Sequence, residues 1–121
     1  MDTIQFIAQR IYEKKGFNIF AVDVRGLSSM TDYLIIAEGN VDRHVLSIAE
    51  ELSAELKEKG EVAIHIDGKE EGDWVVMDYG NFMIHLFTQE LRSKYQLERL
   101  FPKGKIIDLQ LNTSYDEQIS G

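Results

Sequence analysis

Residues Gly72 to Phe87, GDWVVMDYGNFMIHLF, constrain the fold more than any other stretch of the chain. Two apolar runs, Val75-Val76-Met77 and Phe82-Met83-Ile84, flank Gly80-Asn81, a dipeptide suited to a tight reversal. The segment reads as a β-hairpin with strands apolar enough for a sheet interior. A lone hairpin is marginal in water, so the remaining chain must add strands and cover its faces. Polar groups interrupt the pattern: Asp73, Asp78, Tyr79, His85, and beside them Trp74, the only tryptophan. The period of two places Trp74, Val76 and Asp78 on one face and Val75, Met77 and Tyr79 on the other. Strands do bury Trp as a packing residue. A Trp bracketed by carboxylates also fits a recognition surface, because indole offers large area and a polar handle.

The flanking sequence supplies the cover. Asp2 is a capping residue for a first helix carrying Ile4, Ile7, Ala8, Ile11 and Tyr12, with Gln5 placed to close a capping box and Gly16 as its stop. Ile19 to Val24 reads as a strand, Arg25 to Thr31 as a loop, and Tyr33 to Glu38 as a central strand. Val45, Ala49, Leu52 and Leu56 line one face of a helix spanning residues 42–59, ended by Gly60. Val62, Ile64 and Ile66 alternate as in a half-buried strand before the Trp74 strand. Thr88 caps a third helix carrying Leu91 and Tyr95, with Leu97 and Leu100 behind, and Pro102 ends it. Ile106 to Leu111 forms one more extended segment. The expected order is α-β-β-α-β-β-β-α. It closes most simply as an α/β (α+β) domain over residues 1–111, with one mixed sheet of about five strands flanked by helices, and residues 112–121 as a flexible tail.

At 121 residues the chain is one domain with room for a core. No apolar run approaches the length of a membrane helix, and the N-terminus MDTIQFIAQR is not a signal peptide. The chain has no cysteine, which removes disulfides, thiolate chemistry and Cys-ligated zinc and fits a cytoplasmic protein. Its 13 basic and 21 acidic side chains give a net charge of −8, a poor balance for gripping phosphates and a good one for a basic partner. Acid is concentrated around the tryptophan: Glu61, Asp67, Glu70, Glu71, Asp73 and Asp78 stand against Lys69 alone.

Candidate chemistry is thin. Ser28-Ser29-Met30-Thr31-Asp32 before a strand faintly resembles a nucleotidyltransferase site, where two carboxylates two residues apart hold the metal. Asp32 is one, but the second position is Leu34, which cannot ligate. Ser28, Ser29, Thr31 and Asp32 are equally suited to bonding loop amides. His44, His65 and His85 lack metal-site spacing. No P-loop or GxGxxG is present. No metal and no cofactor are expected.

Taken in order, Val22-Asp23-Val24, Ser28 to Asp32, Arg43-His44-Val45, Asp73-Trp74, Asp78-Tyr79-Gly80, His85, Arg92 and Tyr95 to Leu100 resemble the Iojap family, the ribosomal silencing factors called RsfS. The likeness covers about Ile4 to Phe101. It implies a nucleotidyltransferase-like fold without catalysis. It implies a protein that binds the large ribosomal subunit through universal ribosomal protein L-fourteen, keeps the small subunit away and represses translation, and is a homodimer when free. It places the partner surface on Trp74, Asp78, Tyr79, Gly80 and His85. Ser29, Asp32, Arg43, His44, Arg92, Tyr95 and Glu98 belong to the family pattern and fit structural roles. The alternative is a degenerate nucleotidyltransferase-like enzyme or nucleotide-binding protein using Asp32.

Overall fold

The computed structural model describes residues 2–94 and 103–113. Helix α1 (Thr3–Glu13) is followed by strands β1 (Phe17–Asp23) and β2 (Tyr33–Gly39) and helix α2 (Asp42–Glu58). Strands β3 (His65–Asp67), β4 (Trp74–Asp78) and β5 (Phe82–Thr88) follow, then α3 (Gln89–Lys94) and β6 (Lys105–Ile106). The expected order holds, and the extended segment expected over Ile106 to Leu111 is a strand only at Lys105–Ile106. The sheet has six strands in the order β3-β4-β5-β2-β1-β6. Only β2 and β5 pair in parallel; the other neighbours are antiparallel. Tyr95, Leu97, Glu98, Leu100 and Pro102 lie outside the described residues, as does most of the tail.

Helices α1 and α2 cover one face of the sheet. Ile4, Ile7 and Ile11 of α1 and Val45, Ile48, Leu52 and Leu56 of α2 pack on Ala21, Ile35, Ala37, Val75, Met77, Ile84 and Leu86. The helical period and the strand period meet there, and burial of that apolar area is the main term holding the domain together. Asp2 caps α1 as expected: its Oδ1 accepts from the Gln5 amide at 2.8 Å. Gln5 does not complete the capping box. Its Oε1 instead accepts from the Gln110 amide at 3.1 Å, and Gln9 Oε1 accepts from the Asn112 amide at 2.7 Å. The segment after Ile106 thus returns along α1, and Ile107 and Leu109 reach the same core.

A charged clamp ties the two helices. Arg10 donates to both Glu55 oxygens, at 3.0 and 2.7 Å, and Lys14 Nζ lies 2.8 Å from Glu55 Oε2. The hydrogen bond from Arg10 is the largest influence holding the Glu55 carboxyl down at about 2.

The stretch before β3 departs from expectation. Val62, Ile64 and Ile66 should share a half-buried face, yet the strand is only three residues long. Val62 is 66% exposed and Ile64 72% exposed. The cause lies in the pairing: β3 is the sheet edge, its register with β4 starts at His65 and only the Ile64 amide bonds back to Asp78 before it, at 2.7 Å, so that Ala63 packs on the core while Val62 and Ile64 point away from it.

Candidate functional site

The second face of the sheet carries the tryptophan. Strand β4 alternates as its sequence demands: Val75 and Met77 are fully buried toward the helices, while Trp74, Val76 and Asp78 face the other way and are half-buried. Opposite them on β5 stand Phe87, His85 and Met83, through the pairs Trp74↔Phe87, Val76↔His85 and Asp78↔Met83. The indole stacks on Phe87 with ring centroids 5.0 Å apart and planes 28° apart. It also reaches diagonally along the ladder, where Trp74 Nε1 donates to His85 Nδ1 at 3.1 Å.

This bond defines the histidine. A ring nitrogen that accepts must be unprotonated, so neutral His85 carries its proton on Nε2. His85 is 9% exposed, and burial pushes its pKa down to about 4. An unfolded chain takes up that proton near 6.5, whereas the folded protein refuses it until about 4. Folding stability should therefore fall as pH drops from 6.5 towards 4. Thermal melts across that range, run beside His85→Asn, isolate the contribution: the variant's curve should be flatter there.

One strand further in, the face holds two buried charges. Glu38 and Arg92 are 5% and 8% exposed, with Arg92 Nε 3.6 Å from Glu38 Oε2. Asn18 Nδ2 donates to the same oxygen at 3.0 Å, and the Arg92 guanidinium lies over the Phe20 ring at 5.7 Å. Arg92 thereby fastens α3 across β2 and β1. Glu38 and Asn18 were not singled out in the sequence. The available signal was an acid closing the apolar run YLIIAE, since a carboxylate buried there needs a partner.

The remaining family positions separate by role. Asp78 Oδ1 accepts from the Gly80 amide at 2.8 Å, so this acid shapes the β4–β5 turn as well as adding charge. Tyr79 is 8% exposed and stacks on Phe82 at 4.8 Å on the helical side, so its ring is not presented with Trp74. Exposed Ile64 lies close to Gly80 at the far end of β4. His44 bridges two elements: Nδ1 accepts from the Asn40 amide at 3.0 Å and Nε2 bonds the Lys14 carbonyl at 2.8 Å. It ties the start of α2 to the end of α1. Ser29, Asp32 and Arg43 are exposed, and the Asp32 amide donates to the Asn81 carbonyl of the hairpin turn at 3.2 Å. Tyr95 and Glu98 are outside the described residues.

Acid clusters along β3, the start of β4 and the turn between them. Asp67, Glu70 and Glu71 are exposed and Asp73 is half-buried. The arrangement can offer an aromatic, apolar contact framed by negative charge. It has little to offer a metal. Leu34, where a second carboxylate would have to stand beside Asp32, is 4% exposed. Among the described residues no three His, Asp or Glu side chains converge. Nor is any described helix long and apolar enough to cross a membrane.

Known proteins resemble the chain along its length. A family model described as "Ribosomal silencing factor during starvation" matches residues 1–120. Ribosomal silencing factor RsfS of Haemophilus influenzae is 37% identical over 101 residues, covering 84% of this chain and 99% of the relative. A mouse protein named "Mitochondrial assembly of ribosomal large subunit protein 1" is 28% identical over 101 residues, covering 81% of this chain and 44% of that one. A crystal structure from Bacillus halodurans superposes with a TM-score of 0.77 at 29% identity, covering 88% of this chain and 96% of that chain. The chain belongs to the ribosomal silencing factor family.

Proposed function

We propose that this protein silences ribosomes by occupancy: it docks on the large subunit through universal ribosomal protein L-fourteen and sterically blocks the small subunit, repressing translation. The observation that carries the reading is Trp74, half-buried on the acid-rich side of the sheet next to its edge strand and stacked on Phe87. Ribosomal proteins are basic because they neutralise RNA. An acidic frame around an indole complements such a surface, with charge setting the encounter rate and register and the indole supplying buried area. The mouse relative's name refers to the large subunit, which supports that choice of particle. Like charges on Asp67, Glu70 and Glu71 oppose joining two copies through this edge. The reading has the free protein as a homodimer in the cytoplasm, where the ribosomes are.

No catalytic step is part of this proposal. The enzymatic alternative has Asp32 alone, on an exposed loop.

The test is sedimentation through sucrose gradients with isolated subunits. The protein should travel with large subunits and, added before small subunits, should reduce the joined ribosome peak in proportion to its occupancy. Equal recovery of joined ribosomes with and without saturating protein would overturn the steric mechanism.

A further inference from the structure

We propose that His85 is a positioning residue for the docking tryptophan: its Nδ1 holds the indole by the N–H, so that a partner meets Trp74 through carbon alone. The inference rests on the reading that the Trp74 face is the docking face. An indole has one donor and no acceptor. Here that donor points inward to His85 at 3.1 Å, while Phe87 stacks on the ring at 5.0 Å. These contacts, one directional and one planar, hold the tilt of a side chain that is itself only half-buried.

His85 is suited to this role and not to direct contact. It is 9% exposed and sits in the middle of the sheet, level with Ile36 on one side and Val76 on the other. A buried strand neighbour cannot reach a partner, but it can set the rotamer of a residue that does. Holding the ring in place before binding removes part of the ordering cost of association. It also defines the partner's chemistry at this point. The complementary surface needs an apolar patch to take the indole edge and basic groups around it to meet Asp67, Glu70, Glu71 and Asp73. It needs no hydrogen-bond acceptor for the tryptophan. A surface that used the indole N–H would have to break the bond to His85 first.

The unmodified protein supplies the first test. Nitrogen-15 shifts of the His85 ring at neutral pH should show an unprotonated Nδ1 and a protonated Nε2, and the opposite tautomer would refute the proposal outright. Two substitutions supply the second. Asparagine keeps an acceptor oxygen near the place of Nδ1; leucine keeps comparable bulk without one. Since the chain has a single tryptophan, its indole proton gives one unambiguous resonance. In His85→Leu that proton should exchange with solvent about tenfold faster, and binding to large subunits should weaken by about tenfold, in keeping with loss of one hydrogen bond. His85→Asn should restore both to within about threefold. Wild-type exchange in the leucine variant, or wild-type affinity despite a freed indole, would overturn the positioning role. Trp74→Ala separates the two claims: if it binds large subunits like wild type, the docking reading fails, while the tautomer and exchange measurements still decide the hydrogen bond.

Discussion

Replacing Trp74 by alanine is expected to weaken binding to the large ribosomal subunit by about 30- to 1,000-fold, the range of roughly 2–4 kcal/mol typical of a central aromatic contact. The size of the effect follows from what the indole does. It is the largest side chain on its face, is already oriented by Phe87 and His85, and is bordered by carboxylates that contribute more to rate and register than to affinity. The same substitution costs the fold less. Trp74 packs on the smaller cluster, with Val22, Ile36, Met83 and Phe87, and it is only half-buried. Truncation there should lower stability by about 1–3 kcal/mol, below the 3–5 kcal/mol of a fully buried Trp. Circular dichroism melts would establish that the variant is folded. Dissociation constants for large subunits, measured well below its melting midpoint, then decide the matter. A folded variant binding with wild-type affinity would remove the Trp74 face from the docking surface.

Much of this arrangement was legible in the residues because it depends on local periods. Alternation along Trp74–Asp78 separated the helix-facing residues from the outward ones, and the structure keeps that division. The helical spacing of Val45, Ala49, Leu52 and Leu56 gave α2 and its buried face. What stayed hidden depends on contacts between distant parts of the chain. The alternation of Val62, Ile64 and Ile66 is as regular as that of β4, but a period cannot say that pairing starts only at His65. The extended segment expected over Ile106 to Leu111 is a strand only at Lys105–Ile106, because its pairing, Val22 with Ile106 and Asp23 with Lys105, joins residues far apart in sequence. The Glu38–Arg92 pair likewise needs β2 and α3 side by side. At the candidate site, residue types alone marked Trp74 and His85 as notable. The hydrogen bond between them comes from the β4–β5 register.

Gly68→Ala is expected to be the most damaging single methyl in the domain, lowering stability by more than about 3 kcal/mol. Gly68 has φ +89°, and a Cβ there would lie 1.9 Å from the Trp74 carbonyl oxygen, 3.0 Å from its carbonyl carbon and 3.3 Å from Val75 Cα. All three are backbone atoms of β4, so no rotamer change can make room. Gly68 also closes the turn into the strand, its carbonyl accepting from the Gly72 amide at 2.9 Å. Relief requires moving either that turn or the first residues of β4, and those are held to β5 through the pairs Trp74↔Phe87 and Val75↔Leu86. Gly60 provides the control. Its φ is +87°, nearly the same, but a Cβ there meets nothing within 4 Å. Gly60→Ala should therefore show only the left-handed backbone penalty, about 1–2 kcal/mol. Chemical denaturation of the two variants, side by side, subtracts the dihedral cost and leaves the collision. Equal losses would mean that the turn before β4 shifts freely. A larger loss at Gly68, accompanied in the folded fraction by a changed Trp74 emission spectrum, would show that the turn and Trp74 are one rigid unit. Trp74 would then be fixed from three sides: by Phe87 through its ring, by His85 through its N–H, and by Gly68 through its backbone.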